Sequence, residues 1–197
     1  MFAIVKDGVI TQTANTVKQL FPNTSFPGGP NADFLSENNV KEVVLGTRKD
    51  QEYYFVTPSS LEVVDGVPTQ QYTSTAKRLE DEDAKDAEGN QLYVQVYDAS
   101  ANDGKGAMVD TSEKQINQGL KSFKTEEVKT RANRSLANTD WMVIRKAERD
   151  VAIPSATATY RAAVITECAR LEDAIAGAAD VDALAVVMAA QNWPKEP

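Results

Sequence analysis

At Ser112-Glu113-Lys114-Gln115-Ile116, running on through Thr139-Asp140-Trp141 to Tyr160-Arg161 and Trp193-Pro194, the hydrophobic period of the chain changes from that of strands to that of helices. Ahead of it, apolar residues come in short alternating runs broken by Asp-Gly and Gly-Asn pairs. Beyond it they recur every three or four residues, the spacing of one helix face. Ser112 with Gln115 three positions later is a capping-box pattern. Ile116, Leu120 and Phe123 follow at helical spacing, then Val128, Ala132 and Leu136, with a slip of phase between Phe123 and Val128. No proline interrupts, so a helix is predicted from Ser112 to about Ala137. Asn138-Thr139-Asp140 ends it, Trp141, Val143 and Ile144 come next, and Arg145 to Asp150 reads as a charged connection.

Pro154 precedes a second helix, at a position where its missing donor costs nothing, and Ser155 is the expected cap. Tyr160, Val164, Cys168, Leu171 and Ile175 form its apolar stripe, and Gly177 closes it. Cys168 lies in that stripe, which makes it a small buried hydrophobe rather than a nucleophile. Asp180 caps a third helix with Leu184, Val187 and Met188 facing inward. Trp141 and Trp193 are expected either as core anchors or as aromatics facing a partner.

Towards the N-terminus the period is two. Phe2–Lys6, Asp7-Gly8 and Val9–Gln12 predict a hairpin with a type I′ turn, because Asp-Gly accepts two positive φ angles. Leu61–Val64, Asp65-Gly66 and Val67 onward repeat that signature, and Leu92–Tyr97 is the clearest alternating strand. Between them, Asn15–Phe21 predicts a short helix capped by Asn15 or Thr16. Phe21-Pro22 to Pro30-Asn31 is a loop that Phe21, Phe26 and Phe34 are expected to pin down. The Gly28-Gly29 pair lacks the Gly-Lys-Ser/Thr that a phosphate cradle needs. The prediction is an α+β chain: a mostly antiparallel β-rich domain over 1–111, then a helical hairpin or three-helix unit over 112–197.

Charge supports the same division. Of the net −8, residues 1–112 carry all of it, with 9 Lys+Arg against 17 Asp+Glu, while 113–197 balance at 12 against 12. An acidic half does not hold nucleic-acid phosphates. The local basic excess over 121–149 reads as a solvated helix face rather than a nucleic-acid site. The acidic run Glu80–Glu88 lacks the ligand spacing of a calcium loop and reads as a solvated, flexible hairpin tip. Asp98–Gly104 comes closer, but its glycine is one place late and Val109 stands where a bidentate glutamate belongs. With no histidine and one cysteine, imidazole-based triads and histidine zinc sites are excluded. No catalytic, cofactor-binding or metal-ligating residue is expected, and the chain is read as a non-enzyme. The longest apolar run, Ala183–Ala190, is too short to span a membrane, and the first residues do not form a secretory signal.

The residues also carry a family likeness. Arg131-x-x-Arg134-x-Leu136-x-x-Thr139-Asp140-Trp141, then Tyr160-Arg161, then Trp193-Pro194-x-x-Pro197, resembles the C-terminal segment of the phage tail assembly chaperone-like family. It is also similar to the C-termini of structural proteins from tailed phages of marine cyanobacteria. Phe2-Ala3-Ile4-Val5-x-Asp7-Gly8 and Leu20-Phe21-Pro22 through Phe34-Leu35-x-Glu37-Asn38 are similar to the opening of such tail proteins. The likeness covers residues 1–45 and 130–197. It implies a virion tail protein, assembled in the host cytoplasm, whose partners are other tail proteins or further copies of itself. Trp141, Tyr160, Arg161 and Trp193 are the candidate interface residues. The alternatives weighed are a transient tail assembly chaperone and a carboxylate-based cell-wall hydrolase.

Overall fold

A computed structural model describes all residues 1–197, and the fold is α+β. Its compact units are Met1–Ala76 and Lys77–Pro197. In the first, β1 (Phe2–Lys6) pairs with β2 (Val9–Ala14) around a turn in which Asp7 and Gly8 have φ of 51° and 76°. Two positive angles make this the type I′ geometry that follows strand twist. After α1 (Val17–Leu20), capped by Thr16 with Gln19 completing the box, and α2 (Ala32–Glu37), the chain returns as β3 (Val40–Glu42) on the other side of β1. Ile4, Val17 and Val40 form the core, with Phe21, Phe26 and Phe34 packed on it. Phe34 takes both other rings edge-on, at 5.1 and 5.0 Å. Each such pair adds about 0.5–1.5 kcal/mol beyond burial, which helps offset the ordering of the loop that contains Gly28 and Gly29.

The remainder of this unit is a long hairpin. Leu61–Val64, read as a short strand, is the second part of a longer one, β5 (Tyr54–Val64), with an irregularity between Pro58 and Leu61. Asp65-Gly66 turns it into β6 (Val67–Ala76), again with both φ positive. The short β4 (Val44–Leu45) pairs parallel to β6.

The second unit begins well before the change of period. β7 (Glu82–Asp83) pairs with β10 (Ile116–Asn117), and β8 (Tyr93–Asp98) pairs with β9 (Ala107–Lys114) across a single distorted turn, α3 (Ala101–Gly104). The compact units therefore divide at Ala76/Lys77 rather than at about residue 112. The predicted helix start is also corrected. Ser112 and Lys114 belong to β9, Ile116 to β10, and α4 runs from Leu120 to Ala137 behind Gly119. A capping box is worth about one hydrogen-bond pair, which pairing across a ribbon outweighs.

Real capping of α4 comes from the acidic stretch. The N–H groups of Leu120 and Lys121 donate to the carbonyls of Arg78 and Leu79 at 2.9 and 3.0 Å. Asp81 accepts from Gly119 N–H at 2.7 Å and from Ser122 Oγ at 2.8 Å. Glu80 pairs with Lys121, Asp83 with Lys114, and Arg78 with Glu82. The run is thus a cap for a helix N-terminus, whose first four N–H groups have no partner of their own. The expectation of a flexible tip is overturned for Glu80–Asp83. Asp86 does organise a turn with Asn90 and Gly89.

The phase slip in α4 has a simple cause. Its buried stripe is Leu120, Lys124, Val128 and Ala132, so a lysine occupies one apolar-facing position and Phe123 lies outside it, exposed. Lys124 is buried along its stem and carries its amine to Glu127 at 2.8 Å. The long helix α6 (Ser155–Gly177) buries Thr157, Tyr160, Val164, Glu167, Leu171 and Ile175 against its neighbours. Pro154, not Ser155, is its N-cap residue, with no side-chain cap. α7 (Val181–Ala189) opens on Asp180, whose side chain accepts from Ala183 N–H at 2.8 Å, and turns Leu184 and Met188 inward; Val187 is half-buried.

At Gly119 a Cβ would collide with the main chain of Leu79 and Glu80. Backbone cannot yield as a side chain tip can, so Gly119→Ala is expected to lower the unfolding free energy by about 1–3 kcal/mol. Urea denaturation of the two proteins measures it; an unchanged midpoint would show that the cap is not rigid.

Candidate partner-binding site on the helical unit

The corner between α4 and the next helix, α5 (Asp140–Arg149), is where the sequence pattern comes together. α4 stops at Ala137, leaving carbonyls without helical partners. Arg161, on α6, supplies donors for them. Its Nη1 donates to the Leu136 carbonyl at 3.0 Å and to Thr139 Oγ1 at 2.6 Å, and its Nη2 pairs with Asp140 at 2.9 Å. Thr139 Oγ1 in turn donates to the Leu136 carbonyl, and Tyr160 Oη donates to the Ser135 carbonyl at 2.9 Å. One planar guanidinium thus satisfies a helix end, a hydroxyl and a carboxylate together, which a lysine cannot do. Thr139-Asp140 and Tyr160-Arg161, far apart in sequence, form one lock.

The last residues form a second fastening. Glu167 is buried and receives both Nε and Nη2 of Arg170 at 2.7 Å, together with the N–H of Asn192 at 2.7 Å. Trp193 packs against Ala132, Tyr160 and Val164, donates from Nε1 to Gln191 at 2.7 Å, and lies under the Arg131 guanidinium at 5.1 Å. Arg131 also reaches Gln191. The segment after α7 is therefore a strap held across α4 and α6.

Charge on this unit is largely consumed internally. Of the eight basic residues in 121–149, Lys121, Lys124 and Lys129 are ion-paired, and Arg131 and Arg145 lie over tryptophan rings. Wherever a carboxylate pKa is displaced, it is displaced downward. Hydrogen bonds from Gly119 and Ser122 lower that of Asp81; Arg170, against the opposing effect of burial, lowers that of Glu167; Lys129 lowers that of Glu172. A general acid needs the opposite displacement. Burial and Glu172 push the Cys168 thiol upward, away from the reactive thiolate. No three His, Cys, Asp or Glu side chains are grouped to hold a metal ion, and no helix is long and apolar enough to cross a membrane. The groove between α4 and α6, about 350 Å³, is lined by Ala132, Leu136, Ile165 and Cys168 with the Lys129–Glu172 pair at its rim. The aliphatic part of this lining can hold an apolar group.

Comparison with known proteins adds no relative. No family model, curated protein or solved structure matches the chain.

The four candidate interface residues separate by exposure. Tyr160 is 7% exposed, Arg161 is turned into the lock, and Trp193 is half-buried beneath Arg131. Trp141 alone stands out, at 52% exposed. The helix that carries it, α5, takes in Arg145–Arg149, read from sequence as a charged connection, and buries none of its residues. At about 100° per residue, Val143, Ala147 and Ile144 fall within a single arc of α5, and Trp141 lies about 60° beyond Ile144, at the edge of that face. Ile144 and Val143 are 56% and 41% exposed, whereas Met142 and Arg145 are only half-exposed. Arg145 stacks its guanidinium 4.8 Å from the Trp141 ring, and its Nε is buried without a partner. The amphipathic helix thus turns its apolar side to solvent. The sequence marked Trp141 by its size and by the Thr139-Asp140-Trp141 pattern, expected as a core anchor or a partner-facing aromatic; only the tertiary arrangement showed which way it faces.

Removing Arg161 leaves the Leu136 carbonyl without its charged donor, so Arg161→Ala is expected to cost about 2–3 kcal/mol, and Trp141→Ala within about 0.5 kcal/mol of nothing. Thermal melts of both variants check this contrast; equal losses would mean that α5 is packed after all. The Glu167 strap gives a pH dependence of definite sign. Its folded pKa is depressed, so its stabilisation is full above the unfolded glutamate value of about 4.3 and disappears as pH falls through the folded value. Trp193 fluorescence, followed in a Trp141→Phe background, should report strap release on acidification, and Glu167→Gln should show it already at neutral pH.

Proposed function

We propose that this protein is a non-enzymatic structural or adaptor component of a bacteriophage tail, working through protein–protein contacts within the virion. The observation that carries the reading is α5. An amphipathic helix with Trp141, Val143 and Ile144 in solvent stands on a helical unit whose other motif residues are locked internally. Clusters of exposed aromatic and aliphatic side chains of this kind are the anchors of protein interfaces. The tail setting rests on the resemblance of the Thr139-Asp140-Trp141, Tyr160-Arg161 and Trp193-Pro194 pattern to tail-protein C-termini. The chain has no histidine, so imidazole acid–base chemistry has no part in this reading.

Mass spectrometry of purified virions tests the reading. Several stoichiometric copies per particle are expected, and particles assembled with Trp141→Ala should retain fewer. Absence from particles that contain other low-copy proteins would defeat it. Capture on a tail protein in infected cells, combined with that absence, would establish an assembly chaperone instead.

A further inference from the structure

Strand β8 begins Tyr93-Val94-Gln95-Val96-Tyr97, a run that reads identically in both directions about Gln95. It pairs with β9 and with no second strand; of its main-chain groups, the Tyr93 carbonyl accepts from the Gln115 side chain at 2.9 Å. A ribbon of two strands is marginal in water, because one ladder cannot shield its own faces. This one leaves Val96 and Tyr97 at 47% and 67% exposure, and Met108, opposite Tyr97, is exposed as well. Natural edge strands are normally guarded by lysine, proline or an inward charge. Here the five-residue run has no charge and no proline; the first charge is Asp98 at its end. Gly106, with φ of +79°, lies so close under the Tyr97 phenol that a Cβ would collide with it, so the ring lies along the ribbon.

We propose that β8 pairs antiparallel with β8 of a second copy, on a two-fold axis through Gln95, making a four-stranded sheet from two ribbons. In that register Tyr93 lies opposite Tyr97, Val94 opposite Val96, and Gln95 opposite its own counterpart. Asp98 falls opposite Leu92, so no like charges meet. Cross-strand aromatic and β-branched pairs are the favourable ones, and every pair in the run is of that kind except the central glutamine. The free main-chain groups of the edge gain partners, and the apolar ribbon is extended to four strands. Self-complementarity selects a copy of this chain as the occupant, since an isologous interface requires each residue to suit its own symmetry mate. The inference does not rest on the tail reading; it concerns the chain alone.

Sedimentation equilibrium of the full chain should show a dimer at about 100 μM, a concentration at which micromolar complexes are formed. Gln95→Lys keeps the contact with Asp110 available but sets two cations face to face, and should weaken dimerisation about fivefold or more. Register is tested by oxidation in a Cys168→Ser background. Gln95→Cys lies opposite itself and should form a disulfide-linked dimer, whereas Val96→Cys lies opposite Val94 and should not, though a mixture of Val94→Cys and Val96→Cys should. A monomeric chain at that concentration, or a dimer in which Val96→Cys crosslinks as readily as Gln95→Cys, would overturn the proposal. Should Gln95→Lys fail to fold, the cysteine pair still decides it.

Discussion

The helical unit depends on what happens to the first N–H groups of α4. A helix end leaves four donors without partners, and burying them unsatisfied costs more than the helix gains from a turn of its own bonds. Here the carbonyls of Arg78 and Leu79 and the carboxylate of Asp81 meet them, with Gly119 allowing the main chains to touch. That contact fastens the segment after Lys77 to the helices. It also explains why the compact unit starts some forty residues before the helical period does. With α4 seated, its buried stripe of Leu120, Val128 and Ala132 faces α6 and α7, and its C-terminal end comes to Arg161.

The Arg161 lock then determines what is left for a partner. A guanidinium that binds Leu136, Thr139 and Asp140 together sets the direction in which the chain leaves α4, and so the direction of α5. Motif residues that could have been recognition elements are used up in holding this corner. The exception is Trp141, next to Asp140 in the chain yet outside the lock, and it heads the one helix whose apolar side is open. Stability and recognition are thereby divided between adjacent residues.

Legibility differed by the range of the interaction that produced each feature. Both Asp-Gly hairpins, a cap at Asn15 or Thr16 (Thr16 in the structure), the Asp180 cap and the stripe Tyr160, Val164, Leu171 and Ile175 of α6 follow from neighbours within a turn or a strand and were readable. Cys168, expected in that stripe as a buried hydrophobe, is half-buried, and Glu167 beside it is buried instead because Arg170 and the Asn192 N–H satisfy its carboxylate. Ser112-Gln115 was an equally good local signal that lost to pairing between β8 and β9. Glu80–Asp83 looked solvated because its partners, Gly119, Lys121 and Ser122, lie some forty residues away. Lys124 in a buried stripe read as a slip of phase because a pattern of apolar residues cannot show a stem folded inward.

Local pattern and composition were enough for the α+β class, the antiparallel hairpins with positive-φ turns, the helical C-terminal part and the absence of imidazole chemistry. These depend on side-chain period, on which residues tolerate positive φ, and on composition, all of which are properties of short segments. Only the tertiary structure decided where the units divide, that an acidic run caps α4, and that Tyr160, Arg161 and Trp193 turn inward while Trp141 turns out. Those outcomes depend on which distant groups satisfy each buried donor and acceptor, and that pairing is settled when the elements pack.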